Sequence, residues 1–231
     1  MTYNVLITGS TGMVGKGVLL ECLDHDMIKE VRLINRRSTD IKNPKIKEFV
    51  HADFSDFSGL QMPLSDIDAC FYCLGVSSVG QSEPDYTKIT YDIAMDIAGM
   101  LSAANPDAIF CFVSGAGTDP QGRAMWARVK GKTEQDIQKL PFKKVVCFRP
   151  GFIQPLRGIR SATSWYNTLY AVLKPVIFLV KAIFPRAATN TTNLGLAMIA
   201  CLTHNQHPTY LENQDINRLA AKISQSENNN K

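Results

Sequence analysis

Short apolar runs alternate along the chain with stretches in which apolar residues recur every three to four positions. Runs at 4–8, 31–35, 46–50, 69–74, 109–113 and 144–148 read as strands. Between them, 12–24 carries Val14, Val18, Leu19 and Leu23 on one helical face. A helical pattern at 87–104 is stopped by Asn105-Pro106, and another at 124–140 ends before Pro141. Strands alternating with helices at this spacing predict an α/β fold: a Rossmann-type, doubly wound parallel sheet with helices on both faces.

Beyond Pro150-Gly151 the pattern changes. Prolines and arginines fill 154–160, and an apolar stretch follows at 165–184 that is long enough to raise the question of a membrane span. Lys174, Pro175 and Lys181 interrupt it, so it reads first as a buried or partly exposed amphipathic helix pair broken at Pro175. Membrane-surface contact is its secondary reading. A further helix is expected at 194–202, and the polar tail from Gln225 is expected to be disordered. The expected organisation is a dinucleotide-binding domain at 1–155, a helical substrate or lid segment at 156–224, and a disordered tail at 225–231.

Composition changes this picture little. The net charge of +4 is modest for 231 residues and its lysines and arginines are dispersed, which argues against a nucleic-acid partner. The first residues run straight into a strand pattern without a basic leader, giving a cytoplasmic expectation. Cys70 and Cys73 form a C-x-x-C within one strand, where residues three apart face opposite ways, so they read as buried small hydrophobes. His204 and His207 lack a surrounding carboxylate pattern, and no metal site is expected.

The chemistry lies in the first strand-to-helix junction. Thr8-Gly9-Ser10-Thr11-Gly12-Met13-Val14-Gly15 has the G-x-x-G-x-x-G spacing of a pyrophosphate-binding loop. Glycines there permit a tight turn and close backbone approach, and the helix N-terminus offers free N–H groups to the anion. The second strand ends at Asn35-Arg36-Arg37, with no acid to accept the ribose hydroxyls of NAD. Arginine accommodates a 2′-phosphate, so NADP is expected over NAD. Asp53-Phe54 follows the third strand where an adenine edge would bind, although a turn or N-cap role suits Asp53 equally.

The glycine loop, Asn35-Arg36-Arg37, Ser114, Lys130-Gly131 and Arg149-Pro150-Gly151 together resemble an atypical or extended short-chain dehydrogenase/reductase. The nearest subgroup is that of TIP30-like oxidoreductases and bacterial NAD(P)-binding epimerase-like proteins. The resemblance implies a catalytic Ser after the fifth strand and a Y-x-x-x-K pair on the next helix. Ser114 and Lys130 match, but Trp126 stands at the tyrosine position. An indole donates a hydrogen bond and does not titrate, so the usual phenol relay is missing. Trp126 would hold a substrate carbonyl, stack over the nicotinamide, or only cover the pocket floor.

The same resemblance assigns Leu74 and Gly75, Lys130, and Pro150 and Gly151 to the cofactor wall. Tyr86 and Tyr91 border that region but read as structural, and the Tyr170/Lys174 spacing is taken as chance. Arg157, Arg160 and Trp165-Tyr166 would belong to a lid, the arginines either recognising an anionic substrate or merely solvating a loop. The expected function is NADP-dependent hydride transfer to a small carbonyl substrate of unknown identity. The alternative is a non-catalytic NADP-sensing or binding protein. Pairing into oligomers through helices of the core is compatible with both.

Overall fold

A computed structural model describes residues 1–159, 188–204 and 206–229. Strands β1 (Tyr3–Thr8), β2 (Ile28–Asn35), β3 (Ile46–Val50), β4 (Ala69–Tyr72), β5 (Ile109–Val113), β6 (Lys144–Arg149) and a strand near the C-terminus, Tyr210–Glu212, form one sheet. Two further short strands, β7 (Phe152–Gln154) and β8 (Ala188–Asn190), pair with each other in parallel. The C-terminal strand is therefore β9. The main sheet has the order β3-β2-β1-β4-β5-β6-β9, and every pairing in it is parallel.

Period-two alternation sorts the strand side chains into two cores. Val5, Ile7, Phe71 and Cys111 face helices α1 (Met13–Asp24), α5 (Thr191–Ala200) and α6 (Asn213–Asn229). Leu6, Cys70, Tyr72 and Phe110 face α3 (Ile93–Ala104) and α4 (Met125–Ile137). Each fully buried Leu or Phe contributes roughly 1.5–3 kcal/mol, so both faces must be covered, and they are. Cys70 and Cys73 join opposite cores, as their spacing requires, and all six cysteines are free thiols.

Several boundaries differ from expectation. The helix expected from 87 begins instead as α2 (Glu83–Thr87), started by Ser82, whose Oγ accepts from the Asp85 N–H, and by Pro84 in the first turn. It continues through a π-helical turn, Lys88–Asp92, into α3. Within the helical segment expected at 156–224, residues 188–224 carry two helices and the short strands β8 and β9. There α5 packs on α1, where Thr192 Oγ1 donates to Glu21 at 2.9 Å, and β9 extends the main sheet. The disordered tail expected from Gln225 is also corrected: α6 runs to Asn229, and 213–229 contains neither proline nor glycine to stop it. The apolar stretch 165–184, with Arg160, Trp165, Tyr166, Tyr170 and Lys174, lies outside the described residues. Among the described residues, no helix is long and apolar enough to cross a membrane.

Candidate cofactor-binding site

The loop between β1 and α1 is closed on itself. Gly9 has φ +68°, and a Cβ there would stand 2.8 Å from the backbone of Leu74 on the neighbouring strand's exit. A Cβ on Gly15 would stand 2.2 Å from the Gly9 carbonyl oxygen. No side chain caps Gly12 at the helix start and no acid lies in the first turn. The first N–H groups of α1 and its positive dipole end are thus left for an anionic ligand, and the loop fits a pyrophosphate.

Beside it opens a cavity of about 360 Å³ lined by Gly9, Thr11, Ile34, Asn35, Arg36, Arg37, Ser38, Phe54 and Leu74. Arg36 and Arg37 are exposed and have no ion-pair partner among the described residues. Their backbone position is set by polar contacts that sequence inspection missed. Ser10 Oγ donates to Asn35 Oδ1 at 2.9 Å, and Asn35 Nδ2 donates to Glu48 Oε1 at 2.8 Å. Ile34, Asn35 and Ser38 also join the expected wall, their one sequence signal being adjacency to the arginine pair. The Asp53-Phe54 pair is split. Phe54 lines the cavity, whereas Asp53 turns back to accept from the N–H and Oγ of Ser55, contacts that hold its carboxyl below the usual range. Asp53 is a turn residue here. Gly75 is exposed and lies outside the cavity lining, as do Met13, Val14 and Gly15.

A second group assembles at the ends of β5 and β6. Lys130 Nζ donates to the Ser114 carbonyl at 2.9 Å, and burial pushes its pKa down to about 8. Gly131, the next residue, lets α4 approach Pro120, whose backbone nitrogen would stand 2.4 Å from a Cβ there. Ser114 is buried, its Oγ 2.9 Å from Thr118 Oγ1. Thr118 spends its single proton on the Gly115 carbonyl at 2.8 Å, so Ser114 is the donor between them. The Trp126 ring lies against the same turn, 3.7 Å from where a Cβ on Gly115 or Gly117 would be. Pro150 accepts from the Ala116 N–H at 2.9 Å, and the Gly151 N–H donates to Asn213 Oδ1 at 3.1 Å, tying this loop to its neighbours.

Neither Tyr86 nor Tyr91 presents a free phenol here. Tyr86 is fully buried, which raises its pKa. Tyr91 donates to Asp136 at 2.8 Å and lines a different cavity with Glu83 and Arg128; burial and the Asp136 carboxylate push it up to about 12. Arg157, at φ +56°, pairs with Glu21 and Asp24 of α1, so its charge is used to hold the chain against that helix.

A parallel sheet in this order, with an uncapped glycine-rich helix start at the exit of β1, defines a nicotinamide dinucleotide-binding protein of the short-chain dehydrogenase/reductase type. Residues 5–138 match the NAD dependent epimerase/dehydratase family, and the chain belongs to it. Among curated relatives, Protein FMP52-1, mitochondrial, of Scheffersomyces stipitis is 26% identical over 187 residues, covering 78% of this chain and 82% of its own. Protein HTATIP2 of Rattus norvegicus is 26% identical over 194 residues, 78% of each chain. Among solved structures, the Bordetella bronchiseptica enzyme WbmF in complex with NAD+ superposes with a TM-score of 0.66 at 16% identity. That match spans 100% of this chain and 80% of WbmF, and it shows the shared fold. The cytoplasmic expectation does not stand, because fungal relatives with the same core are named as mitochondrial proteins.

Proposed function

We propose that this protein binds NADP in preference to NAD and transfers hydride to a small carbonyl compound. The observation that carries the cofactor preference is the pair Arg36 and Arg37 on a cavity with no acidic lining residue. An NAD-type site needs a carboxylate there for the ribose hydroxyls, whereas a guanidinium suits a 2′-phosphate. Titrating the protein with NADPH and NADH by fluorescence tests it, and tighter binding of NADH refutes the preference.

The bound cofactor supplies the hydride. The chain's residues supply position and a proton. Gly9 and Gly12 with the start of α1 hold the pyrophosphate, while Arg36 and Arg37 hold the 2′-phosphate. Lys130 serves the nicotinamide ribose. With its pKa brought to about 8, its Nζ is also the group beside Ser114 that can give up a proton near neutral pH. The indole of Trp126 cannot, and instead packs against the Gly115–Gly117 turn. The substrate is a small molecule, and dispersed surface charge gives a nucleic acid no footprint.

Trp126 favours one second reading, a dinucleotide-sensing protein that binds without turnover. Stopped-flow mixing of the NADPH-loaded protein with a panel of aldehydes and ketones separates the two. Cofactor oxidation by any member supports the enzyme, and none across the panel supports the sensor.

A further inference from the structure

We infer that Glu48 on β3 is the positioning residue that sets the preference for a 2′-phosphorylated dinucleotide, acting through the loop it holds rather than by touching the ligand. This rests on the NADP reading above. Glu48 is the hub of a hydrogen-bond relay that joins the glycine loop to the arginine loop. Ser10 Oγ donates to Asn35 Oδ1 at 2.9 Å and Asn35 Nδ2 donates to Glu48 Oε1 at 2.8 Å. From the other side, the Thr39 N–H donates to Glu48 Oε1 at 2.8 Å and Ser38 Oγ donates to Glu48 Oε2.

Three donors from 35, 38 and 39 thus converge on one carboxylate, and between them sit only Arg36 and Arg37. The arginines carry no ion pair of their own among the described residues, so Glu48 fixes the backbone from which they project. Its charge is absorbed by donors, and it is not among the residues lining the cavity. The same contacts keep the Asn35 carboxamide buried and turned to the glycine loop and β3. Both polar atoms of the side chain at the end of β2 are thereby engaged by Ser10 and Glu48. Glu48 in this way both presents the cations and holds the Asn35 carboxamide.

Replacing Glu48 by Gln substitutes an amide, with one acceptor and two donors, for a group that faces three donors. The test is the ratio of NADPH to NADH affinity in the whole protein, read by fluorescence, with thermal melts alongside. Glu48→Gln is expected to weaken NADPH by about tenfold and to leave NADH within about twofold, as loss of positioned charge-assisted bonds requires. Ser38→Ala, an exposed and mild change, is expected to move the ratio in the same direction by about threefold. Equal weakening of both cofactors, or an unchanged ratio in Glu48→Gln, overturns the assignment. A wild-type protein that shows no preference for NADPH overturns the NADP reading and this inference with it. A wild-type preference that survives in both variants overturns the inference alone.

Discussion

Lys130 donates from Nζ to the backbone carbonyl of Ser114, 2.9 Å away, so this buried ammonium is fastened to the serine beside it. Burial lowers its pKa from 10.5 to about 8, which means the folded state holds its proton less tightly than the unfolded chain does. Between those values the unfolded state binds more protons, and stability rises with pH. The increment from Lys130 across that window is about 3 kcal/mol as an upper figure. Urea melts of the wild type and Lys130→Met from pH 7.5 to 10.5 measure it. Equal pH slopes for the two proteins would show that Lys130 is not buried as described.

The family resemblance places Trp126 where a proton-transferring phenol would stand, and an indole cannot take that part. In Trp126→Tyr the phenol lies one helical turn from Lys130, whose ammonium favours the phenolate. The variant is expected to raise the rate of NADPH-dependent carbonyl reduction by about 10²-fold or more over wild type, the usual worth of a general acid. Steady-state NADPH oxidation at pH 7 reads it. Unchanged or lower activity would mean the pocket is not built around that position.

The glycine loop gives a graded prediction. Gly15→Ala sets a methyl 2.2 Å from the Gly9 carbonyl, and Gly9→Ala combines φ +68° with a 2.8 Å approach to the Leu74 backbone. The left-handed backbone alone costs about 1–2 kcal/mol, and both variants are expected to lose dinucleotide binding. Gly99→Ala is the contrast: it lies inside α3 with open space where the methyl goes, and a gain of about 0.5–1 kcal/mol is expected. Thermal melts and cofactor titration of the three variants decide it, and a destabilised Gly99→Ala would contradict the packing.

Arg149 and Glu134 form an ion pair whose carboxylate side chain is 1% exposed, the Arg149 guanidinium lying over the Tyr210 ring at 4.2 Å. Removing one partner leaves the other charge without compensation, and Glu134→Ala is expected to cost about 3 kcal/mol. The pair Glu134→Leu with Arg149→Met is expected to recover most of that loss. Chemical denaturation of the two proteins measures the difference, and a double variant no better than the single one would refute it.

The sheet was legible because its inner strands are continuous apolar runs buried on both faces, as at 69–72 and 109–113. The glycine loop was legible because its spacing is dictated by backbone contacts that permit no side chain. What escaped is short or non-local. Phe152–Gln154, Ala188–Asn190 and Tyr210–Glu212 are each three residues long, too brief to show a period. The relay from Ser10 through Asn35 to Glu48 joins three separate elements, and only the folded register brings them together. Asp53 shows the converse: its neighbour Ser55 explains it locally, and proximity to the third strand had suggested a ligand.

β9 joins the sheet in parallel beside β6, with Leu211 opposite Phe148. A ribosome must therefore synthesise the chain as far as Tyr210–Glu212 before β6 acquires its outer neighbour. A nascent chain paused ahead of Tyr210 displays a row of unpaired backbone groups next to a half-built apolar layer, the kind of edge that recruits another strand. Truncated products ending between β6 and β9 are thus candidates for chaperone capture or aggregation, although every residue of the glycine loop has already been made.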